Sequence, residues 1–133
     1  MEQLTTIGQT ALTTDQNQNR GRLIEVAMLM KKVVIKLSAE QMKALSSLMQ
    51  MYFMFAQLNQ LHDKAEFYLV YSIFEGKIRT KVFDLKPSHK LKLDIAQANA
   101  LWWMLSNIDI NDAAIFENTM RDYIMNEIDH QTV

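Results

Sequence analysis

Two short segments rich in apolar and basic residues each run into a longer stretch with helical periodicity. The first segment covers residues 32–37 and contains the β-branched residues Val33, Val34 and Ile35, which favour extended backbone. The second covers residues 89–93 and reads HKLKL. A period of two places successive side chains on opposite faces, so both segments are predicted to be short strands with one buried face.

Four stretches carry apolar residues at three- and four-residue spacing, which predicts four helices. The first is expected to begin after Ser38, whose side chain would cap it while Gln41 completes a capping box. The predicted helices cover residues 39–61, 63–85, 95–107 and 111–129, with Asp63, Asp94 and either Asp109 or Asn111 as the later N-caps. The expected inner stripes are Met42, Leu45, Leu48, Met49, Tyr52, Phe55 and Ala56 in the first helix, and Ala113, Phe116, Met120, Tyr123, Ile124 and Ile128 in the last.

Residues 63–85 also fit a second interpretation. The segment EFYLVYSIF is rich in strand-favouring residues, and Glu75-Gly76 could form a hairpin turn. The helical spacing of Phe67, Val70, Tyr71, Phe74, Ile78, Val82 and Leu85 favours a helix instead. Pro87 is expected to end it.

Residues 35–49 and 91–105 carry the same pattern. Their sequences, IKLSAEQMKALSSLM and LKLDIAQANALWWML, share Lys36/Lys92, Leu37/Leu93, Gln41/Gln97, Ala44/Ala100 and Leu45/Leu101, and both place a good cap, Ser38 or Asp94, before the helix. Helix rules alone would produce part of this match; the rest indicates duplication or structural pseudo-symmetry. We expect the two strands to pair antiparallel about a pseudo-twofold axis and to bury Val33, Ile35, Leu91 and Leu93 against the helices.

These paired segments, in which Lys-Leu and a cap residue are followed by Gln and then Ala-Leu, resemble short uncharacterised proteins of phages and mobile elements in Bacteroidota-type bacteria. The resemblance covers only the two segments, around Ser38 and Asp94. It implies no activity and favours an accessory or viral protein.

Composition narrows the fold class. With three glycines and one proline among 133 residues, the chain has few breakers, which favours long helices over a many-turned β-sandwich. The expected fold is one helix-dominated α+β domain over residues 22–133, preceded by a mobile polar tail over residues 1–21. Its parts are repeat units at about 31–61 and 88–107, the connecting helix 63–85 and the C-terminal helix 111–129.

The absence of cysteine excludes disulfides, thiolate zinc sites and a cysteine nucleophile, and it fits a reducing compartment. Even the longest apolar runs, such as residues 51–56, are far shorter than the roughly 20 residues that a bilayer requires. We therefore expect a cytoplasmic protein without a membrane span.

Two short motifs could suggest chemistry, and both have a plainer interpretation. His62 and Asp63 are adjacent, but neighbouring helical residues do not face each other, so a helix-end His beside a capping Asp is favoured. Residues 109–112 begin like a calcium loop, yet Ala114 stands at the glycine position and Met120 at that of the bidentate Glu. We expect no enzyme activity, cofactor or metal.

Charge is distributed unevenly along the chain. Residues 31–92 contain eleven Lys or Arg against five acids, whereas residues 93–133 contain one basic residue against seven acids. We interpret this first as attraction between two parts of one fold; a polyanion-binding face or an acidic interaction tail is the alternative. The candidate contacts to a polyanion such as nucleic acid are Lys77, Arg79, Lys81, Lys86, Lys90 and Lys92.

Apolar residues without an evident core position predict a protein interface. Residues 51–56 are apolar on every side of the first helix, and adjacent Trp102 and Trp103 cannot share one core face, so one is expected to be buried and the other to lie at the edge. The candidate interface residues are Met51, Phe53, Met54, Trp102 and Trp103. The expected function is a non-enzymatic protein-interaction or structural module that self-associates or binds another protein; a nucleic-acid-associated accessory protein is the alternative.

Overall fold

The computed structural model describes residues 31–60, 64–84 and 86–132. The predicted helix-dominated α+β class is confirmed, because these residues form four α-helices and one two-stranded antiparallel sheet. In chain order the elements are β1 (Lys32–Ser38), α1 (Ala39–Leu58), α2 (Ala65–Ile73), a π-helical turn (Phe74–Ile78), a 3₁₀ turn (Lys81–Phe83), β2 (Ser88–Asp94), α3 (Ile95–Asn107) and α4 (Ile115–Thr132). The predicted tail over residues 1–21, and the predictions for Leu61, His62, Asp63 and Leu85, fall outside the described residues.

The two strands form an antiparallel ribbon, as the repeated pattern predicts. Val33 lies opposite Leu93, Ile35 opposite Leu91, and Leu37 opposite His89. All six side chains are buried, because alternate residues of a strand share one face. The predicted burial of Val33, Ile35, Leu91 and Leu93 is confirmed.

Both predicted helix caps are present, and each forms a full capping box. The Ser38 hydroxyl accepts a hydrogen bond from the Gln41 N–H at 3.1 Å, and the Gln41 side chain accepts one from the Ser38 N–H at 2.8 Å. In the second copy the Asp94 carboxylate accepts from the Gln97 N–H at 2.7 Å, and the Gln97 side chain accepts from the Asp94 N–H at 3.2 Å. The caps turn both strands into helices in the same way.

The helices cover the inner face of the ribbon. Helices α1, α3 and α4 contact β1, while α1 and α3 also contact β2. Helix α2 packs against α1 and α3. One cluster of buried apolar side chains joins these elements to the ribbon, so the sheet has one dry face and one open face.

Residues 65–83 are helical rather than a hairpin, but they do not form the single helix predicted over residues 63–85. Helix α2 ends at Ile73, and the chain widens into the π-helical turn, which closes when the Arg79 N–H donates to the Phe74 carbonyl at 2.8 Å. Asp84 is extended, so helical structure stops well before Pro87. Tyr71, one of the residues whose spacing favours a helix, is 46 % exposed.

The last helix begins later than predicted because Asn111 forms a turn instead of a helix cap. Its side-chain oxygen accepts from the Ala113 N–H at 2.9 Å, and its carbonyl accepts from the Ala114 N–H at 2.9 Å. Helix α4 therefore starts at Ile115 and not at residue 111. Ala113 and Phe116 are exposed and not part of the inner stripe, whereas Met120, Ile124 and Ile128 are buried as predicted.

Side chains occupy both outer edges of the ribbon. Along β1, Gln131 of α4 accepts from the Val34 N–H and donates to the Val34 carbonyl, both at 2.8 Å, and the Tyr123 hydroxyl donates to the Lys36 carbonyl at 2.7 Å. Along β2, the ammonium groups of Lys77 and Lys81 donate to the carbonyls of Lys92 and Lys90. Exposed strand edges invite pairing with other chains, and these contacts block part of each edge.

Candidate interaction surfaces

An exposed apolar stripe runs along the second half of α1. Its members are Met51, Met54, Phe55 and Leu58, and we call them the α1 stripe. Their spacing of three, four and seven residues places them on one side of the helix, and they are 52 %, 66 %, 53 % and 81 % exposed respectively. Phe55, predicted on the inner stripe, belongs to this outer side, because Tyr52 and Ala56 take the buried positions.

The stripe borders a groove between α1 and the end of α3. The groove has a volume of about 340 Å³ and is lined by Met51, Tyr52, Phe55, Trp103, Asn107, Ile108 and Asp109. The ring of Trp103 meets Tyr52 edge to face, with centroids 6.1 Å apart. The groove therefore continues the apolar surface of the α1 stripe onto α3.

The tryptophan pair differs from the prediction. Trp102 and Trp103 are both half-buried and both pack against the core, because α3 lies between α2 and α4 and has neighbours on two sides. The prediction of one buried and one peripheral indole is therefore wrong. The Trp102 Nε1 group is buried without a hydrogen-bond partner among the described residues.

A cluster of aromatic rings joins α1 to α2 beside the stripe. Phe53 lies at its centre and meets Phe67, Tyr71 and Phe74 edge to face at centroid distances of 5.7, 5.6 and 5.3 Å. Phe53 is half-buried, so this candidate interface residue holds α2 against α1. Tyr68 and Tyr71 keep 60 % and 46 % exposure at the margin of the cluster.

Tyr52 is a buried polar residue next to the stripe. It is 4 % exposed, and its hydroxyl has no hydrogen-bond partner among the described residues. Burial raises the pKa of Tyr52, and the Glu66 carboxylate raises it further. The neutral phenol is therefore favoured in this site.

The predicted basic stretch does not form one continuous surface. Lys77 and Lys81 hold their ammonium groups against the β2 edge, while Arg79 pairs with Glu75 at 2.8 Å. Lys86 is exposed in the segment before β2. Lys90 and Lys92 point away from the core on the open face of the ribbon.

The ribbon brings these two lysines together with two that lie far away in sequence. Lys32 and Lys36 of β1 are exposed on the same face as Lys90 and Lys92 of β2. We call Lys32, Lys36, Lys90 and Lys92 the ribbon lysines. Sequence reasoning missed Lys32 and Lys36 as members, although the period of two together with the predicted antiparallel pairing contained the necessary signal.

Ion pairs do not join the basic and acidic parts of the described chain. Within residues 31–60, 64–84 and 86–132, contacts below 4.0 Å link Arg79 to Glu75 and Arg121 to Asp122. Both are local in sequence. The ribbon lysines thus have no carboxylate partner at ion-pair distance in this part of the chain.

Histidine and carboxylate side chains do not gather into a metal-binding cluster in the described residues. These residues contain no group of three or more His, Asp or Glu side chains that could hold a metal ion, and none of their helices is long and apolar enough to cross a bilayer. His89 is buried at 6 % exposure in the ribbon's inner face. The candidate functional features of the described residues are the α1 stripe with its groove and the open face of the ribbon.

Comparison with known proteins gives no family assignment. No protein-family model, curated protein or solved structure matches this chain.

Proposed function

We propose that this chain is a non-enzymatic protein-interaction module that self-associates through the α1 stripe. The observation that carries the proposal is the exposure of Met51, Met54, Phe55 and Leu58 on one side of one helix. Apolar side chains that lie together on a surface favour association, because contact removes them from water.

The spacing of the stripe suits a helix as its partner. Residues three and four apart repeat along one side of a helix and can interlock with the same side of a second helix. The same stripe on another copy of the chain, related by a twofold axis, provides such a partner. A twofold interface of this kind uses the same surface on both copies, so no second complementary surface is needed.

The charge around the stripe supports an identical partner. Residues 44–60 contain no charged side chain, so two copies can approach along this part of α1 without like-charge repulsion. A partner recognised by charge would require complementary groups here, and residues 44–60 supply none.

The α1 stripe alone is too small for a stable interface, and neighbouring apolar surface must contribute to it. Four side chains along about 10 Å of helix are fewer than the 20 or more residues per partner in a standard interface. The groove lined by Trp103 and Ile108 and the exposed rings of Tyr68 and Tyr71 enlarge the surface. We therefore expect a dimer whose population depends on concentration.

Sedimentation equilibrium over a wide concentration range tests this proposal. The expected result is a shift from the chain mass of 15.5 kDa towards twice that mass as concentration rises. Leu58→Lys places a charge in the stripe and should weaken the dimer at least about tenfold, since the cost of burying an unpaired charge exceeds 1.4 kcal/mol.

The chain offers a matched control for this substitution. Phe83 in the 3₁₀ turn is 82 % exposed, against 81 % for Leu58, and it is not part of the stripe. Phe83→Lys should leave self-association unchanged. A monomer at every concentration, or equal weakening by both substitutions, would contradict the proposal.

The cellular setting is a further part of the proposal. The resemblance of the paired segments around Ser38 and Asp94 to phage and mobile-element proteins supports an accessory role, and the absence of cysteine supports a cytoplasmic location. A pull-down from the native host, with the Leu58→Lys variant as reference, tests whether a second protein uses the same surface.

A further inference from the structure

The open face of the ribbon concentrates positive charge from two distant parts of the chain. The outward positions are Lys32, Val34, Lys36 and Ser38 on β1 and Ser88, Lys90, Lys92 and Asp94 on β2. The one carboxylate among them, Asp94, is engaged in capping α3. The face therefore presents four lysines whose charge no neighbouring acid offsets at ion-pair distance among the described residues.

Two further lysines extend the charge along one edge. Lys77 and Lys81 donate to the outward carbonyls of Lys92 and Lys90, so their ammonium groups are fixed beside β2. Each ammonium keeps additional N–H donors after one bond to a carbonyl. Six positive charges thus lie on or next to a ribbon of two seven-residue strands.

The arrangement works against the stability of the isolated chain. Lys36 lies directly opposite Lys90, and the carbonyls of both residues bond outward, to Tyr123 and Lys81. Because both carbonyls point outward, Lys36 and Lys90 form a pair that makes no hydrogen bonds between the strands. In an antiparallel sheet, the side chains of such a pair lie closer together than those of a hydrogen-bonded pair. Like charges at such a position are destabilising, and an anionic ligand would reverse the sign of that contribution.

The shape of the face selects among anionic ligands. The ribbon is two strands wide, with about 4.8 Å between strands, and the major groove of B-form DNA, about 12 Å wide, admits a two-stranded ribbon. The major groove of an RNA duplex is too narrow for side chains to read. Phosphates flank the DNA groove on both sides, and lysines two residues apart on each strand can reach them.

We propose that the open face of the ribbon is a binding site for duplex DNA, with Lys32, Lys36, Lys90 and Lys92 contacting phosphates along the groove. The site is separate from the α1 stripe and does not depend on self-association. Lys36 and Lys92 are equivalent positions of the repeat, but Lys32 and Lys90 correspond to Ser88 and Val34. The two halves of the face are thus unequal, and binding is expected to depend more on phosphate charge than on a palindromic sequence.

Fluorescence anisotropy with a labelled duplex of mixed sequence tests the proposal. Four phosphate contacts give a salt slope near −3.6, so the affinity should fall about 150-fold between 50 and 200 mM salt. Lys36→Gln combined with Lys90→Gln should reduce the slope by about 2. Single-stranded DNA of the same length should bind more weakly, because it has no groove.

Control variants separate the ribbon from charge in general. Lys43 on α1 and Lys64 before α2 are exposed and lie outside the ribbon, so Lys43→Gln combined with Lys64→Gln removes the same charge elsewhere. This pair should leave both affinity and salt slope nearly unchanged. Equal loss in both double variants, or no salt-dependent binding by the natural chain, would overturn the proposal.

Competition with two other anionic ligands tests whether the ribbon face prefers duplex DNA. Vesicles with anionic headgroups and a polyglutamate peptide offer negative charge without a groove. If either displaces the labelled duplex at an equal charge concentration, the face is a general anion surface and the DNA proposal is wrong. Displacement by unlabelled duplex alone supports it.

Discussion

Ile35 lies opposite Leu91 in the ribbon, and the two residues are also equivalent positions of the repeated segment. A position that pairs with its own equivalent marks the point where a twofold axis crosses an antiparallel ribbon. The local axis therefore passes between Ile35 and Leu91, and it relates the cap at Ser38 to the cap at Asp94.

The two caps should contribute similar and independent amounts to stability. Ser38→Ala and Asp94→Ala each remove a side-chain acceptor from a helix N-terminus, which should lower the free energy of unfolding by about 1 kcal/mol. The caps lie at opposite ends of the ribbon, so the double variant should lose about 2 kcal/mol. Urea denaturation measures all three, with exposed Ser47→Ala as the control. A double variant no less stable than the single ones would contradict the expected independence.

The strand and cap predictions succeeded because their determinants are local. The β-branched residues Val33, Val34 and Ile35 favour a strand, and a cap residue with Gln three positions later marks the start of a helix. Asn111 shows where local rules fail. Asn is a residue type favoured at helix N-caps, but the Asn111 side chain accepts a hydrogen bond from the Ala113 N–H in a turn. Whether Asn111 forms a turn or a cap depends on the path of the chain towards α4.

The surfaces were harder to predict than the elements. Helical spacing places both Tyr52 and Phe55 on the inner stripe, yet Tyr52 is buried and Phe55 is exposed, because the neighbours of α1 determine which side is covered. The ribbon lysines combine residues 32 and 36 with 90 and 92, and only the register between strands brings them together. Residues so far apart in sequence become neighbours only in the tertiary fold, so local sequence patterns do not predict their contact.

The end of α4 should stabilise the β1 edge. Gln131 makes two hydrogen bonds of 2.8 Å to Val34, so Gln131→Ala should lower the free energy of unfolding by about 1 to 2 kcal/mol. Hydrogen exchange followed by NMR should show faster exchange at the Val34 amide, while the amides of α3 keep their protection. Exposed His130→Ala is the matched control on the same turn. Unchanged exchange at Val34 would show that the contact does not protect the edge.

Tyr52 should make the fold sensitive to alkaline pH. Burial first, and then Glu66, raise its pKa above the ordinary value, so the folded state holds the phenolic proton more tightly than the unfolded state does. The resulting stabilisation is complete below the ordinary pKa near 10 and is lost as pH rises through the higher folded-state pKa. Tyr52→Phe should therefore flatten the decline in melting temperature above pH 10.

The same substitution has a second expected effect at neutral pH. The Tyr52 hydroxyl is buried without a partner among the described residues, so removing it should leave stability unchanged or raise it by about 1 kcal/mol. Tyr68→Phe, at a residue that is 60 % exposed, provides the control. A loss of more than about 1 kcal/mol in Tyr52→Phe would indicate that the hydroxyl has a partner after all.

The facing lysines allow stability and binding to be changed in opposite directions. Lys90→Glu converts the like-charged pair with Lys36 into an opposite-charged one, which should raise the free energy of unfolding by about 0.2 to 1 kcal/mol in low salt, and the gain should diminish as salt screens the pair. Lys92→Glu, opposite Val34, makes the same charge change without a facing lysine and should stabilise less.

Both substitutions should weaken binding of duplex DNA. Urea denaturation at two salt concentrations measures the change in stability, and fluorescence anisotropy measures the change in affinity for duplex DNA. If Lys90→Glu lowered both stability and affinity, lost structure would explain the weaker binding; a more stable variant that binds less DNA identifies the charge at residue 90 as the cause.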